Sequence, residues 1–303
     1  MSRKSISHRK IKHLEIRDIP GLIKEAIVEF LSEEGLFHGA ALAYYTFFAM
    51  VPLLYLCIVY IGKIIGKNVI LNIIQDLLHK KIGIRDVSGI MEFLGTLNFE
   101  KTNFFMELIG FIILLVTSSA FIVCLRQSIN DFFDLKINYA TRKRKIVKNI
   151  LFRLFSLVLV TGLTILVIVF YFTQTVIMSL SDTFLGHYDF IDSIISNTIR
   201  HGLSILSNII IFTLVFKYVN DAVIRWKLAL GGALLTAVLL YIGQLLIKYY
   251  LFNFFFGSKS GGIAGSIFIL LAWVYYSSQI IFFGAKFTAV YARKIGQPIH
   301  FKG

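Results

Sequence analysis

Residues 104–125 read FFMELIGFIILLVTSSAFIVCL, twenty-two positions with a single charge, Glu107, and no proline. As a helix rising 1.5 Å per residue the stretch is about 33 Å long, enough to cross a hydrocarbon core of about 30 Å. Five further stretches of the same character surround it, at 39–65, 150–177, 202–219, 228–252 and 263–291. The 202–219 stretch is the shortest. The chain therefore reads as an all-α polytopic membrane protein with six transmembrane helices. Composition agrees: 57% of residues are hydrophobic and 16% charged, with a mean hydropathy of +0.76. Soluble domains carry roughly 25% charged residues, and a soluble fold of 303 residues could not cover this much apolar surface.

Working outward into the connecting segments, the 31 lysines and arginines are unevenly shared. Seven precede the first span, seven lie between spans two and three, three lie between spans four and five, and three follow span six. The alternate segments carry five, one and one, and four more fall inside spans. The positive-inside rule places both termini in the cytoplasm, and an even number of spans agrees. The net charge of +14 and pI near 9.7 are thereby explained by topology and the anionic inner leaflet, without a specific nucleic-acid partner. The tetrad Arg142, Lys143, Arg144 and Lys145, just ahead of span three, is the expected contact for anionic headgroups, at about 1 kcal/mol per cation near such a surface.

Residues 1–19 form a basic cytoplasmic tail, residues 20–295 the six-helix membrane domain, and residues 296–303 a cytoplasmic C-terminal tail. Those first residues lack an apolar core with a small-residue cleavage site, so no cleavable signal peptide is expected and the first span serves as the insertion signal. From Pro20, the residues Leu22, Ile23, Ala26, Ile27, Phe30 and Leu31 recur at helical spacing opposite Lys24, Glu25 and Glu29. This predicts an amphipathic helix on the cytoplasmic face, ending near Gly35. In the first outer loop, Ile70, Ile73, Ile74, Leu77 and Leu78 give a second amphipathic pattern, expected to rest on the outer interface; residues 181–200 repeat it on a smaller scale. No internal repeat is evident. Cys57 and Cys124 read as small packing residues.

Charge is absent from the middle of every span. Lys63, Lys248 and Lys286 stand eight or more residues from the centres of theirs, about 12 Å or more, and are expected to snorkel to an interface. The central polar groups are uncharged: Thr117, Ser118, Ser119, Thr161, Thr164, Ser204, Ser207, Asn208, Tyr241, Gln244, and the run Tyr275 to Gln279. Arg200, Ser204 and Ser207 share one helical face, as do Tyr241, Gln244 and Lys248. Two readings stay open: hydrogen bonds that join helices, or a polar seam along which a headgroup moves while its acyl chains stay in lipid. The missing central carboxylates argue against a proton relay. Pro52 removes a helical hydrogen bond in span one and predicts a kink there, a candidate gate. The seven histidines are scattered, no H-E-x-x-H occurs, and Gly257 to Gly262 lacks the order of a phosphate loop. No catalytic set, metal site or cofactor is expected.

Two stretches, His38-Gly39-Ala40-Ala41-Leu42-Ala43-Tyr44-Tyr45-Thr46-Phe47-Phe48 with Val51-Pro52-Leu53-Leu54, and Trp273-Val274-Tyr275-Tyr276-Ser277-Ser278-Gln279-Ile280 with Gly284-Ala285-Lys286-Phe287-Thr288-Ala289-Val290, together resemble the YihY/virulence factor BrkB family of bacterial inner-membrane proteins. The resemblance covers about residues 20–295 and implies a bacterial cytoplasmic-membrane protein with six spans in these places. The family pattern has an acidic residue after Gly284-Ala285, where this chain has Lys286. The family long carried the label ribonuclease BN, which this sequence does not support. Links of the family to envelope properties suggest transport. The resulting expectation is a non-enzymatic transporter or flippase of a lipid or amphipathic envelope molecule, with Tyr45, Pro52, Asn208, Gln244, Tyr276 and Gln279 as pathway or gate residues. A membrane scaffold acting through the basic loops is the alternative and a membrane-associated ribonuclease a distant third. Membrane lipids are the expected partners, and a homo-oligomer is left open.

Overall fold

The computed structural model describes residues 18–56, 58, 61–78, 87–96, 104–135, 189–250 and 262–301, with scattered positions between 158 and 176. Within these, nine α-helices and one two-stranded ribbon follow in order: α1 Ile19–Ser32, α2 Gly35–Leu56, α3 Gly62–Ile65, α4 Lys67–Asp76, α5 Ser88–Thr96, α6 Phe104–Phe132, α7 Asp189–Tyr218, β1 Ala222–Val223, α8 Trp226–Tyr250, α9 Gly262–Lys294 and β2 His300–Phe301. Four of the helices are long and apolar enough to cross a membrane, over Leu108–Phe132, His201–Tyr218, Trp226–Ile247 and Ile267–Lys294. They match four of the six expected spans. The expected spans at 39–65 and 150–177 fall in part on residues outside the described set; of the first, α2 is an apolar helix of 22 residues.

The bundle is organised around α9, which packs against α2 on one side and α8 on the other, with α6 beyond α2 and α7 beyond α8. Every residue from Gly284 to Val290 is buried. α1 runs along the C-terminal half of α9, where Leu22 and Ala26 are buried with Phe287 and Val290 and Phe30 is buried against Phe132 and Phe283. The apolar stripe that the sequence assigned to the membrane face divides in two. Leu22, Ala26 and Phe30 face protein, while Ile27, Val28 and Leu31 stay exposed. Pro20 occupies the first turn of α1, where a missing N–H costs nothing. Glu34 at φ 56° breaks the helix, and a Cβ on Gly35 would overlap the Phe30 ring, so the chain turns directly into α2.

α8 and α9 approach closely through two matched pairs. A Cβ on Gly232 would overlap Thr288 Oγ1, and one on Gly284 would overlap Thr236 Oγ1. Each threonine hydroxyl donates to the carbonyl of the glycine four residues before it on its own helix, Thr236 to Gly232 at 2.8 Å and Thr288 to Gly284 at 2.7 Å. Small residues at this spacing let membrane helices pack backbone to backbone.

The two ends of the bundle differ in kind. At one end α1, the C-termini of α6 and α9, and the α7–α8 turn meet; β1 pairs antiparallel with β2, Ala222 opposite Phe301. At the other end α4 and α5 pack on α9 and the last turns of α2, burying Ile58, Ile70, Ile73, Ile74, Leu78, Val87, Leu94, Ile269 and Leu270. The amphipathic loop pattern is therefore met as packing on the bundle. The α7 helix has 30 residues, so its outer part from Asp189 continues straight into the span where a separate interfacial segment was expected.

Candidate functional site

Among the described residues the largest polar assembly lies at the first of these ends, and Lys286 is its centre. The Lys286 side chain is 0% exposed, contrary to the snorkelling expected of it. Its ammonium lies 2.6 Å from Glu33 Oε1, 2.9 Å from Asp134 Oδ1 and 3.1 Å from Glu29 Oε2. Snorkelling is unnecessary because carboxylates from α1 and the end of α6 meet the charge inside the protein. Asp134 reaches it because α6 closes with Asp134 in the left-handed region, φ 58°, a conformation Asp tolerates better than most residues. Two turns on, Arg293 binds Asp134 Oδ2 at 3.1 Å and Glu25 at 3.4 Å, and contacts Glu29; Lys294 pairs with Glu25 at 3.0 Å.

The two α1 carboxyls respond in opposite senses. Burial would raise the Glu29 pKa, but its bonds to Arg293 and Lys286 prevail and hold it below the ordinary carboxylate range. Burial dominates at Glu33 and raises it, with Asp134 and Glu29 adding repulsion to which its Lys286 bond is only a partial counter. The pair thus shares one cation unequally.

α6 carries a second polar knot on its other side. Arg126 grips Asp221 of the α7–α8 turn with both guanidinium arms, Nε to Oδ2 at 2.8 Å and the second to Oδ1. Asn130 donates to Asp221 Oδ2 at 3.0 Å and accepts the Asp221 backbone N–H at 2.9 Å. Between the knots, His38 Nδ1 lies 2.9 Å from Ser128 Oγ, its ring among Phe132 and Phe282. The last turns of α6 thus tie α2, α9, α1 and the α7–α8 turn together.

The uncharged polar groups mostly turn back on their own helices. Thr117, Ser118, Ser119, Ser207, Thr213, Ser277 and Ser278 each donate to a carbonyl three or four residues earlier. They do not join helices, which removes them from the inter-helix reading. Of the expected pathway residues, Tyr276 and Gln279 occupy neighbouring faces of α9. Tyr276 fills the space opposite Gly243 on α8, its hydroxyl 3.4 Å from the Leu239 carbonyl. Gln279 lies against Gly39 of α2 and donates from Nε2 to the Leu36 carbonyl at 3.2 Å. Its Oε1 is buried and, among the described residues, has no hydrogen-bond partner. Because it faces the first turns of α2, Gln279 sits nearer the charged end than its central place in the 263–291 stretch suggested.

Tyr45 is half-buried on α2, edge-on to Tyr44 with ring centroids 5.5 Å apart. α2 continues through Pro52 to Leu56; the surroundings of Pro52 lie outside the described residues. Gln244 is half-buried on α8, next to Gly243 and its Tyr276 contact. Asn208 is half-buried on α7, and Phe216, two turns further on, is where α7 approaches Gly284 of α9. Tyr241 of the α8 stripe places its hydroxyl 2.7 Å from His201 Nδ1 on α7, a partner read from the sequence as a loop-edge histidine. Arg200, Lys248, Lys63, Cys57 and the Arg142 to Lys145 tetrad lie, at least in their side chains, outside the described residues. The ionic centre was missed because its carboxylates are 152 and 253 residues from Lys286; Glu25, Glu29 and Glu33 at four-residue spacing were the one available signal.

An all-helical, multi-pass membrane protein with its polar chemistry gathered at one end is the class so defined. The family description "Virulence factor BrkB" matches residues 26–300, and the chain belongs to that family. It is similar to a UPF0761 membrane protein of Tolumonas auensis, 34% identical over 106 residues, 35% of this chain and 34% of the relative. Two UPF0761 membrane proteins of Stenotrophomonas maltophilia, from strains K279a and R551-3, are each 31% identical over 98 residues, 32% of this chain and 23% of the relative. The matched stretch thus spans about a third or less of the length of these relatives. No solved structure matches the chain.

Proposed function

We propose that the protein moves a lipid or other amphipathic envelope molecule across the bacterial cytoplasmic membrane, with the charged end of the bundle in the cytoplasm, and that it does so without catalysis. The carrying observation is Gln279 Oε1. A buried acceptor left without a donor costs about 1–3 kcal/mol, and an oxygen kept in that state in the α2–α9 contact is available to a donor brought by a ligand. A headgroup bearing hydroxyl or amine hydrogens supplies one. Ser277 and Ser278 beside it already donate to their own helix carbonyls and do not compete for that oxygen. The charge bias of the sequence supports the orientation, since the basic α7–α8 turn and C-terminal segment meet at the end where α1 and α6 close.

The test is flipping of a headgroup-labelled lipid in proteoliposomes, read with a membrane-impermeant quencher, for wild type, Gln279→Leu and Asn208→Leu. Wild type should expose the inner-leaflet label to the quencher, Gln279→Leu should lose most of that activity, and Asn208→Leu should keep more of it. Equal activity in wild type and Gln279→Leu, or none in correctly folded wild type, would overturn the proposal.

A further inference from the structure

The turn from α7 to α8 presents a basic, aromatic surface that none of the contacts above uses. Tyr218 and Trp226 stand edge to face, ring centroids 5.9 Å apart and planes at 79°, and are 61% and 53% exposed. The Lys217 ammonium lies 5.5 Å from the Trp226 ring centroid and donates to the Ile224 carbonyl. Arg225 and Lys227 flank Trp226, both exposed, and neither has an ion-pair partner among the described residues. The turn beneath them is firmly held. Asp221 is bound by Arg126 and Asn130, Asn220 accepts the Ala222 N–H at 2.8 Å, and β1 is paired to β2.

Below this platform the same face of α8 is apolar and uncovered. Leu230, Leu234 and Val238 follow Trp226 at four-residue intervals, and all three are exposed. Trp226 therefore stands where a lipid-facing stripe ends and free cations begin. Tryptophan and tyrosine favour that boundary because one edge of the ring is apolar and the other polar. A ligand that matches both parts carries a negative headgroup and an acyl chain.

We propose that the α7–α8 turn is a binding site for an anionic phospholipid, its headgroup phosphate between Arg225 and Lys227 and one acyl chain along Leu230 and Leu234. Trp226 packs against the glycerol region, and Lys217 remains on the ring face as part of the platform. The site is separate from Gln279 and does not depend on transport.

The test uses full-length protein in nanodiscs with Trp273→Phe, which leaves Trp226 as the sole tryptophan of the two in the chain. Phosphatidylglycerol with brominated acyl chains should quench Trp226 more strongly than brominated phosphatidylcholine at equal mole fraction. Arg225→Gln and Lys227→Gln should each lower the relative association constant about fivefold, the equivalent of roughly 1 kcal/mol per cation near an anionic surface. Inorganic phosphate should not compete. Equal quenching by the two lipids, or a preference that survives both substitutions, would overturn the proposal. So would competition by phosphate, which would make this a soluble-anion site, or quenching that falls as protein is crowded, which would put a second copy there. Native mass spectrometry of phosphatidylglycerol retained by protein with Trp273 intact, against the Arg225→Gln/Lys227→Gln variant, gives the same answer if Trp273→Phe does not fold.

Discussion

The two ends of this bundle are held by different forces. One end is joined by directional bonds: Lys286, Arg293 and Arg126 each meet carboxylates from a different segment at fixed geometry. At the other end the contact between segments is an apolar cluster, isoleucines and leucines of α4 and α5 against α2 and α9. Directional bonds fix register, because a displaced ion pair leaves a buried charge without its partner. Apolar contact is non-directional and tolerates sliding at little cost. The charged end is thus a frame that holds, and the apolar end a surface that yields.

The largest expected effect comes from removing the centre of the frame. Lys286→Met should lower stability by about 3–5 kcal/mol, because Glu29, Glu33 and Asp134 are left facing one another; thermal unfolding in detergent measures it. Adding Glu33→Gln should restore part of the loss. At the other end, Ile73→Ala should cost about 2 kcal/mol and act locally, speeding amide exchange in α4 and α5 and leaving α1 unchanged. If Ile73→Ala loosened α1 as well, the two ends would not be independent. Gly284→Ala should cost about 1–2 kcal/mol by pushing α8 from α9, and Thr236→Ala in the same chain should relieve it.

The smallest effect is also the most specific. Glu29, held below the ordinary carboxylate range, contributes stability that is present above that range and lost as pH falls through its folded value. Glu33, raised by burial, contributes in the opposite sense: its stability is present in acid and lost as pH rises through its folded value. At pH 7, Glu29→Gln should therefore destabilise by about 1 kcal/mol or less, fading in acid, whereas Glu33→Gln should be nearly neutral. Unfolding midpoints of the two variants from about pH 3 to 7, which spans both sides of the ordinary carboxylate range, separate them.

The long apolar helices were legible in the sequence because hydrophobic length is a local property, as the stretch from Phe104 to Leu125 shows. The amphipathic spacing of Ile70, Ile73 and Ile74 was legible for the same reason; that the stripe packs on the bundle was not. Depth was not. Counting from the middle of a stretch assumes that the whole stretch fills the membrane, but α9 has 33 residues, about 50 Å, so Gln279 came out central when it faces the first turns of α2. The fate of Lys286 was not legible either, since its acids are supplied by α1 and the end of α6. The matched pairs of Gly232 with Thr236 and Gly284 with Thr288 were not read from the sequence, because that they face each other follows only from the fold. Tyr276 and Gln279 were expected to share a pathway, and the structure sends them to two different neighbours.

The most direct test of a fixed end and a yielding end is hydrogen exchange of the wild-type protein in nanodiscs, read peptide by peptide. A charged frame predicts slow exchange in α1, in residues 126–135 and in residues 286–294, with α4 and α5 exchanging about tenfold faster or more. Equal protection at the two ends, or faster exchange in α1 than in α4 and α5, would contradict it.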